Sequence, residues 1–390
     1  MRRKRPIGRF FLIVSLTLPL LFTCREQGKN AYVADKPGTV FLNDPADMDR
    51  KARALDSLLQ IQLRRQGFNG AVLIAHRGQI LYEGAVGLVG RKAGDSLTTQ
   101  HLFELASVSK QFTAVAVLQL VEQGKIKLTD SLQQYFPDFP HRGITVHMLL
   151  CHRGGLSNYM YDLDRLWPDH SAYPTNQSML QLITEQPQQP FFPPDRRFDY
   201  NNTGYALLAL IVEKVSGMPF HRYLKKHVFE PAGMKTAFLM QAGKDLPDLA
   251  LKGYSGGREI TPDYFLNGVV GDKGIYASVH DLYAWERALF NNVLISEKSM
   301  RMALQPYNPE RKKSNYGYGW RMYNLPSGKT VHFHGGWWRG FKTLLVHLPD
   351  DHTTIIGLSN RTSGAYLDKA AILAILYGGK AGSSEDGETE

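Results

Sequence analysis

Phe103-Glu104-Leu105-Ala106-Ser107-Val108-Ser109-Lys110-Gln111-Phe112-Thr113-Ala114 is the stretch on which the reading of this chain turns. After it, Phe112, Val115, Ala116, Leu118, Leu120 and Val121 recur at helical spacing, and Gly124 is placed to stop the helix. Ser107 and Lys110 stand at the start of that helix. Residues i and i+3 share a helix face with Cβ atoms roughly 5–6 Å apart, so a hydroxyl and an amine would face each other. A Ser hydroxyl is a weak nucleophile until a base takes its proton. A Lys amine is that base only where desolvation or nearby cations lower its pKa. A helix start adds unpaired N–H groups and a field that favours an oxyanion. The tetrapeptide alone is weak evidence, since a capping Ser and a solvated Lys give the same letters.

Two further motifs lie downstream. Tyr200-Asn201-Asn202 precedes an expected helix over 203–215, with Thr203 as its N-cap and Gly217 just past its end. In an extended stretch, positions i and i+2 point the same way, so Tyr200 brings a phenol and Asn202 an amide to one place. His334-Gly335-Gly336 ends a predicted strand, and glycines there would let a substrate approach the backbone. The backbone N–H of Trp337 could then form an oxyanion hole with that of Ser107. Taken singly, a capping Asn and a glycine-rich turn explain these two motifs as well.

Working outward, 49–65 reads as an amphipathic helix from the pattern of Leu55, Leu58, Leu59, Ile61 and Leu63. Residues 70–88 read as a hairpin around His76-Arg77-Gly78-Gln79. Helical patterns follow at 145–151, 176–185, 203–215 and 219–229. Strand signals return at 318–322 and 330–333, and 342–348 with 353–358 form a second hairpin, closed by a helix over 364–378. Strands, then helices, then strands and a helix imply an α/β fold of the α+β type. Its antiparallel sheet would be flanked by helices, with a mostly helical lobe inserted. The expected organisation is an α/β lobe from 48–106 plus 257–378, a helical lobe over 107–256, and a disordered tail over 379–390.

The N-terminus reads as a targeting segment. Residues 1–9 are basic and 10–22 are apolar, a run too short to span a bilayer but suited to a signal peptide over 1–23. The run ends in Leu21-Phe22-Thr23-Cys24, which resembles a bacterial lipobox. Cys24 would then carry a lipid, residues 24–47 would be a tether, and the protein would sit in the bacterial cell envelope, held to a membrane. Cys151, the other cysteine, would be a buried small apolar residue. The formal net charge is +10, and Arg2, Arg3, Lys4, Arg5 and Arg9 supply half of it. No compact basic stripe interleaved with aromatics remains, which argues against nucleic-acid binding. The 13 His are scattered, which argues against a metal site, and no cofactor is implied.

Together and in this order, the motifs resemble the S-x-x-K, S-D-N and K-T-G fingerprint of the β-lactamase and penicillin-binding-protein superfamily. They are most similar to its branch of class C β-lactamases, D-amino-acid peptidases and related esterases, where Y-x-N replaces the second motif. Phe112-Thr113-Ala114, Leu149-Leu150-Cys151-His152, Gly155-Leu156, Glu230-Pro231-Ala232-Gly233-Met234 and 271–278 add to the resemblance, which spans roughly residues 50–375. His152, Gly155 and Met234 read as structural. The resemblance implies that Ser107 is the nucleophile, Lys110 its base or hydrogen-bonding partner, and Tyr200 the acid/base that serves the leaving group. Asn202 would orient substrate, alongside His334, Gly335, Gly336 and Trp337. Here the sequence departs from the pattern: His334 takes the place of the third motif's Lys, and Gly335 that of its Thr. A neutral His is a poor carboxylate anchor. This favours ester, amide or D-amino-acid peptide substrates over lactams. A silent cell-wall-fragment binding protein of the same fold and a true β-lactamase are the alternatives.

Overall fold

The computed structural model describes residues 43–65, 67–90, 95–255, 258–260, 264–325, 327–362 and 367–378. Cys24, the signal segment, most of the expected tether and the tail lie outside the described residues.

Helix α1 (Pro45–Arg65) comes first, followed by the hairpin β1 (Gly70–His76) and β2 (Gln79–Val86). The short strand β3 (Phe103–Glu104), a 3-10 turn (Ala106–Val108) and α2 (Ser109–Glu122) carry the Ser-x-x-Lys motif. A helical stretch follows: α3 (Leu132–Tyr135), α4 (Val146–Leu150), α5 (Tyr159–Leu166), α6 (Asn176–Glu185) and α7 (Asn202–Ser216). Then α8 (Phe220–Leu224) runs through a π-type turn (Lys225–Phe229) into α9 (Glu230–Ala232). The strands β4 (Phe238–Leu239), β5 (Gly253–Ser255), β6 (Arg258–Ile260) and β7 (Ile275–Ala277) precede α10 (Val279–Phe290) and α11 (Glu297–Ala303). The chain closes with β8 (Ser314–Tyr316), β9 (Arg321–Asn324), β10 (Thr330–Trp338), β11 (Phe341–Leu348), β12 (Thr353–Ser359) and α12 (Lys369–Tyr377).

Among the described residues, seven strands form one sheet in the order β2-β1-β12-β11-β10-β9-β8. Its pairings are antiparallel, and the two ends of the chain meet in it: Gly70 faces Ser359 and Ala75 faces Thr354. The period of two is visible in β1, which is buried on both faces. Ala71, Leu73 and Ala75 join the large core around α2, while Val72 and Ile74 join a second core with Leu55, Leu59 and Ile372 of α1 and α12.

Helix α2 is apolar nearly all round and lies inside the molecule. Phe112 stacks on Trp285 of α10 with ring centroids 3.9 Å apart, and Phe229 meets its edge at 6.0 Å. Burying an aromatic side chain of this kind is worth roughly 3 kcal/mol. This packing fixes the helix that carries Lys110.

The local readings needed some correction. Asp44 accepts from the Ala46 N–H at 3.0 Å and starts α1 at Pro45, inside the expected tether. The N-cap of α7 is Asn201, not Thr203. Thr203 sits in the first turn, where its hydroxyl donates to Ser157 O (2.7 Å) and accepts from the Tyr159 N–H (2.8 Å). Tyr318-Gly319-Trp320 is a turn between β8 and β9, not strand, closed by the Gly317 N–H on Trp320 O at 2.8 Å. The third motif lies within β10, which continues through Trp338, rather than at a strand end.

Candidate active site

Ser107, the expected nucleophile, sits on a strained turn. Ala106 has φ +49°, in the left-handed region that L-residues rarely adopt, at a cost on the order of 1–3 kcal/mol. The turn is held from both sides. The Leu105 N–H donates to Ile275 O (2.7 Å), and Thr343 Oγ1 of β11 donates to Leu105 O (2.7 Å). Ser107 itself is 8% exposed, so little of it reaches solvent.

Gly336 explains how β10 reaches this turn. A Cβ there would come within 2.4 Å of Leu105 O and of Thr343 Oγ1, and within 2.9 Å of Ala106 Cβ. The missing side chain therefore admits the turn that carries Ser107. Gly335 differs: its nearest neighbour to such a Cβ would be Thr343 O at 3.7 Å, which leaves room for a side chain.

Lys110 is 0% exposed. Its Nζ donates to Ser107 Oγ at 2.9 Å and to the backbone oxygen of Asp272 at 3.1 Å. It also lies over the rings of Tyr200 (4.8 Å to the centroid) and Tyr205 (5.8 Å). One turn along α2, Thr113 Oγ1 donates to Gly271 O at 2.6 Å. The segment that carries these carbonyls is thus seated along the same helix face.

Tyr200 and its neighbours form an aromatic wall. The Tyr200 hydroxyl is buried, and its ring lies 4.4 Å from His152 and 6.1 Å from His334. The Arg321 guanidinium stands 4.9 Å from the ring centroid. Arg153 fastens the segment leading to Tyr200, pairing Nε with Asp195 Oδ1 (2.6 Å) and Nη1 with Glu310 Oε1 (3.0 Å). The Phe198 N–H closes the clamp on Glu310 Oε1 at 2.7 Å.

His334 is fully buried in this wall. Its Nδ1 is 2.6 Å from Gly335 O, and a carbonyl only accepts, so Nδ1 carries the proton. Its Nε2 then accepts from the Tyr316 hydroxyl at 2.9 Å. Burial, then the charges of Arg321 and Lys110, hold this imidazole well below its ordinary pKa. It is neutral where the third motif's Lys would be a cation. His152 is held down in the same way, first by burial and then by Lys110, His334 and Arg321. The Asn201 N–H donates to its Nδ1 at 3.2 Å.

The three residues 200–202 differ in setting. Asn201 points inward, its amide donating to Leu156 O at 2.8 Å. Asn202, the first residue of α7, is partly exposed, with its Nδ2 3.4 Å from Met160 Sδ. Trp337 is 54% exposed, whereas Trp338 turns inward and donates from Nε1 to Asn267 Oδ1 at 2.8 Å. Cys151 is buried, and burial pushes its thiol up to about 12, which leaves it inert at neutral pH.

An ionic cradle behind Lys110 is the part of the site that the motifs did not single out. Asp272 and Lys273 are both buried and pair at 3.5 Å. Tyr159 donates to Asp272 Oδ2 at 3.0 Å. Glu104 accepts from the Gly274 N–H at 2.7 Å, and burial pushes its carboxyl up to about 7. One signal was legible: an adjacent acid and base between Val269-Val270 and Ile275-Tyr276-Ala277 is charge placed in apolar chain.

Known proteins match this arrangement. A family model described as Beta-lactamase matches residues 51–379. The chain is 32% identical over 346 residues to a penicillin-binding protein of Bacillus subtilis, covering 84% of this chain and 76% of that protein. It is 29% identical over 316 residues to a D-aminopeptidase of Brucella anthropi, covering 77% of this chain but 57% of that longer protein. The crystal structure of a penicillin-binding protein from Bacillus halodurans superposes with a TM-score of 0.72 at 29% identity, over 81% of this chain and 97% of that one. A D-amino acid amidase from Ochrobactrum anthropi shares the fold, with a TM-score of 0.68 at 22% identity, over 81% and 92% of the two chains. Fold and site together define a serine hydrolase. The chain belongs to the beta-lactamase family, as its motifs imply.

Proposed function

We propose that this protein hydrolyses an amide or ester through an acyl-enzyme on Ser107, and that its natural substrates are small amides or peptides containing a D-amino acid. The observation that carries the chemistry is the 2.9 Å contact between Lys110 Nζ and Ser107 Oγ inside the molecule. In its ammonium form Lys110 donates in that contact. Once it has lost a proton, the contact reverses and the neutral amine accepts the Ser107 proton. Oγ then attacks the substrate carbonyl carbon, and the carbonyl electrons move to oxygen. The backbone N–H groups of Ser107 and Trp337 hold that oxyanion. Tyr200 passes the proton to the departing amine or alcohol, with the cations of Lys110 and Arg321 beside its ring to stabilise negative charge on the phenol. Water then attacks the ester on Ser107 and releases the acid. Asn202 orients the substrate.

Two observations support the substrate class. The relatives include a D-aminopeptidase and a penicillin-binding protein at close to 30% identity. The neutral, buried His334 offers no fixed charge to a lactam carboxylate. A panel of D- and L-amino-acid amides, p-nitrophenyl esters and a chromogenic cephalosporin tests the class. Turnover of D-amides and esters that is lost in Ser107→Ala is expected. Preference for L-amides, or cephalosporin as the best substrate, would overturn it.

We also propose that the protein is exported and anchored by a lipid on Cys24, on the strength of the basic 1–9 and apolar 10–22 segments. Fractionation tests this: Cys24→Ala should move from membranes to the soluble fraction, and a variant that stays membrane-bound contradicts it.

A further inference from the structure

We infer that Lys273 is a positioning residue, whose ammonium locks together the carbonyl that holds Lys110, the start of α5 and the end of β10. The inference rests on the reading of Ser107 and Lys110 as nucleophile and base.

Lys273 is 3% exposed and uses its donors on defined partners. Nζ donates to Val269 O at 2.8 Å and to the Tyr159 hydroxyl at 2.5 Å, and pairs with Asp272 Oδ1 at 3.5 Å. The ammonium also lies over the rings of Tyr159 (5.2 Å) and Trp338 (5.1 Å). Each partner belongs to a different part of the site. Within its own segment, the Asp272 carbonyl accepts from Lys110 and the Gly271 carbonyl from Thr113. Tyr159 opens α5, and its N–H donates to Thr203 Oγ1, beside Asn202. Trp338 adjoins Trp337, the proposed oxyanion donor. The segment is tied down past Lys273 as well: the Gly274 N–H donates to Glu104, and the Ile275 N–H to Ser109 Oγ at 3.3 Å.

A buried ion pair of this kind is weak evidence for stability, because desolvation of both charges offsets their attraction. Its effect here is geometric. The ammonium touches the Lys110 segment, α5 and β10 at once. It also places a charge on the residue next to Asp272, whose carbonyl accepts from Lys110, which gives the inference a readout that packing alone would not move. Groups facing Lys273 are Asp272, Glu104 on β3 and Tyr159 on α5. Those facing Lys110 are Tyr200, Tyr205, the neutral His152 and His334, and the Arg321 cation of β9 that shares the Tyr200 ring.

The test is kcat and KM for p-nitrophenyl acetate against pH, with the full chain, in Lys273→Met, Asp272→Asn, the double variant and Ser107→Ala. Lys273→Met is expected to lower kcat on the order of 10- to 100-fold with little change in KM. Removing a cation beside the base should also raise the acid limb of the kcat/KM profile by about one pH unit. Asp272→Asn should lower that limb, and the double variant should restore it while kcat stays reduced. Unchanged kcat and limb in folded Lys273→Met overturn the inference. Should Lys273→Met fail to fold around the stranded Asp272, the charge-neutral double variant decides, and a wild-type kcat there overturns the inference. Activity surviving in Ser107→Ala sinks the underlying reading instead.

Discussion

Lys110 separates two walls of opposite character. On one side Glu104, Tyr159, Asp272 and Lys273 make a cradle of opposed charges tied by short bonds. On the other, His152, Tyr200, Tyr205, Tyr316 and His334 pack at tilted and edge-on angles, with both imidazoles neutral. Directed bonds to carbonyls and carboxylates fix a geometry, and that suits the wall that holds the amine in place. Neutral rings and a phenol leave a proton free to move, and that suits the leaving-group role proposed for Tyr200. The proposed roles divide in the same way, positioning on the ionic wall and proton transfer on the aromatic one, where Arg321 supplies a cation at the Tyr200 ring.

Breaking the centre should cost most. Lys110→Met should lower kcat/KM by about 10³-fold or more, and Lys110→Arg should not restore it, since a guanidinium stays protonated. Recovery with Arg would mean that Lys110 acts as a fixed charge instead. On the aromatic wall, Tyr200→Phe should lower kcat on the order of 10²-fold. The loss should be smaller for a p-nitrophenyl ester than for an amide, because nitrophenolate departs without a proton. Equal losses on both would remove Tyr200 from proton transfer.

The ionic wall makes a prediction for stability. The Glu104 carboxyl sits at about 7 in the fold, against an ordinary value of 4.5. Between these values the folded state binds more protons than the unfolded one. Stability therefore falls as pH rises through that window, by about 3 kcal/mol at most. Glu104→Gln should remove this slope, so its advantage in denaturant melts should grow from acid to neutral pH and then level off. The buried His76 and His332, held down at about 4 and about 3, act in the opposite sense. Their share of stability is present above their ordinary pKa and lost as pH falls, and the variant should keep that acid limb.

The smallest effect is expected at Gly335. Gly335→Ser has space for its hydroxyl and should raise kcat/KM for carboxylate-bearing substrates only a few-fold, since one neutral hydrogen bond is worth about 1 kcal/mol. A loss of folding there would contradict the open space on that side of β10.

Much of this was legible in the sequence, and the missing parts share a cause. Both hairpins and the helix after Ser107 follow from local periodicity, so 70–88 and 342–358 read correctly. The placement of β1 beside β12 is a contact between chain ends that no local pattern encodes. Lys110 and Ser107 are three residues apart, so their contact is a property of the helix. Asp272 meets Lys110 only through the fold, 162 residues along the chain, so 271–278 enters the sequence reading through the resemblance and not as part of the site. Gly336 was noticed for the right reason, close approach, but what approaches is Leu105 and not substrate. Thr203 was given the cap because it resembles one, and tertiary partners in 157–159 claimed its hydroxyl instead.

The central claim is a covalent bond to Ser107 made with the help of Lys110. Intact mass after incubation with a fluorophosphonate measures it directly. One adduct per chain is expected on the wild type, mapping to the peptide with Ser107, with none on Ser107→Ala and a much slower one on Lys110→Met. An unmodified wild type, or the same adduct on Ser107→Ala, would contradict the account.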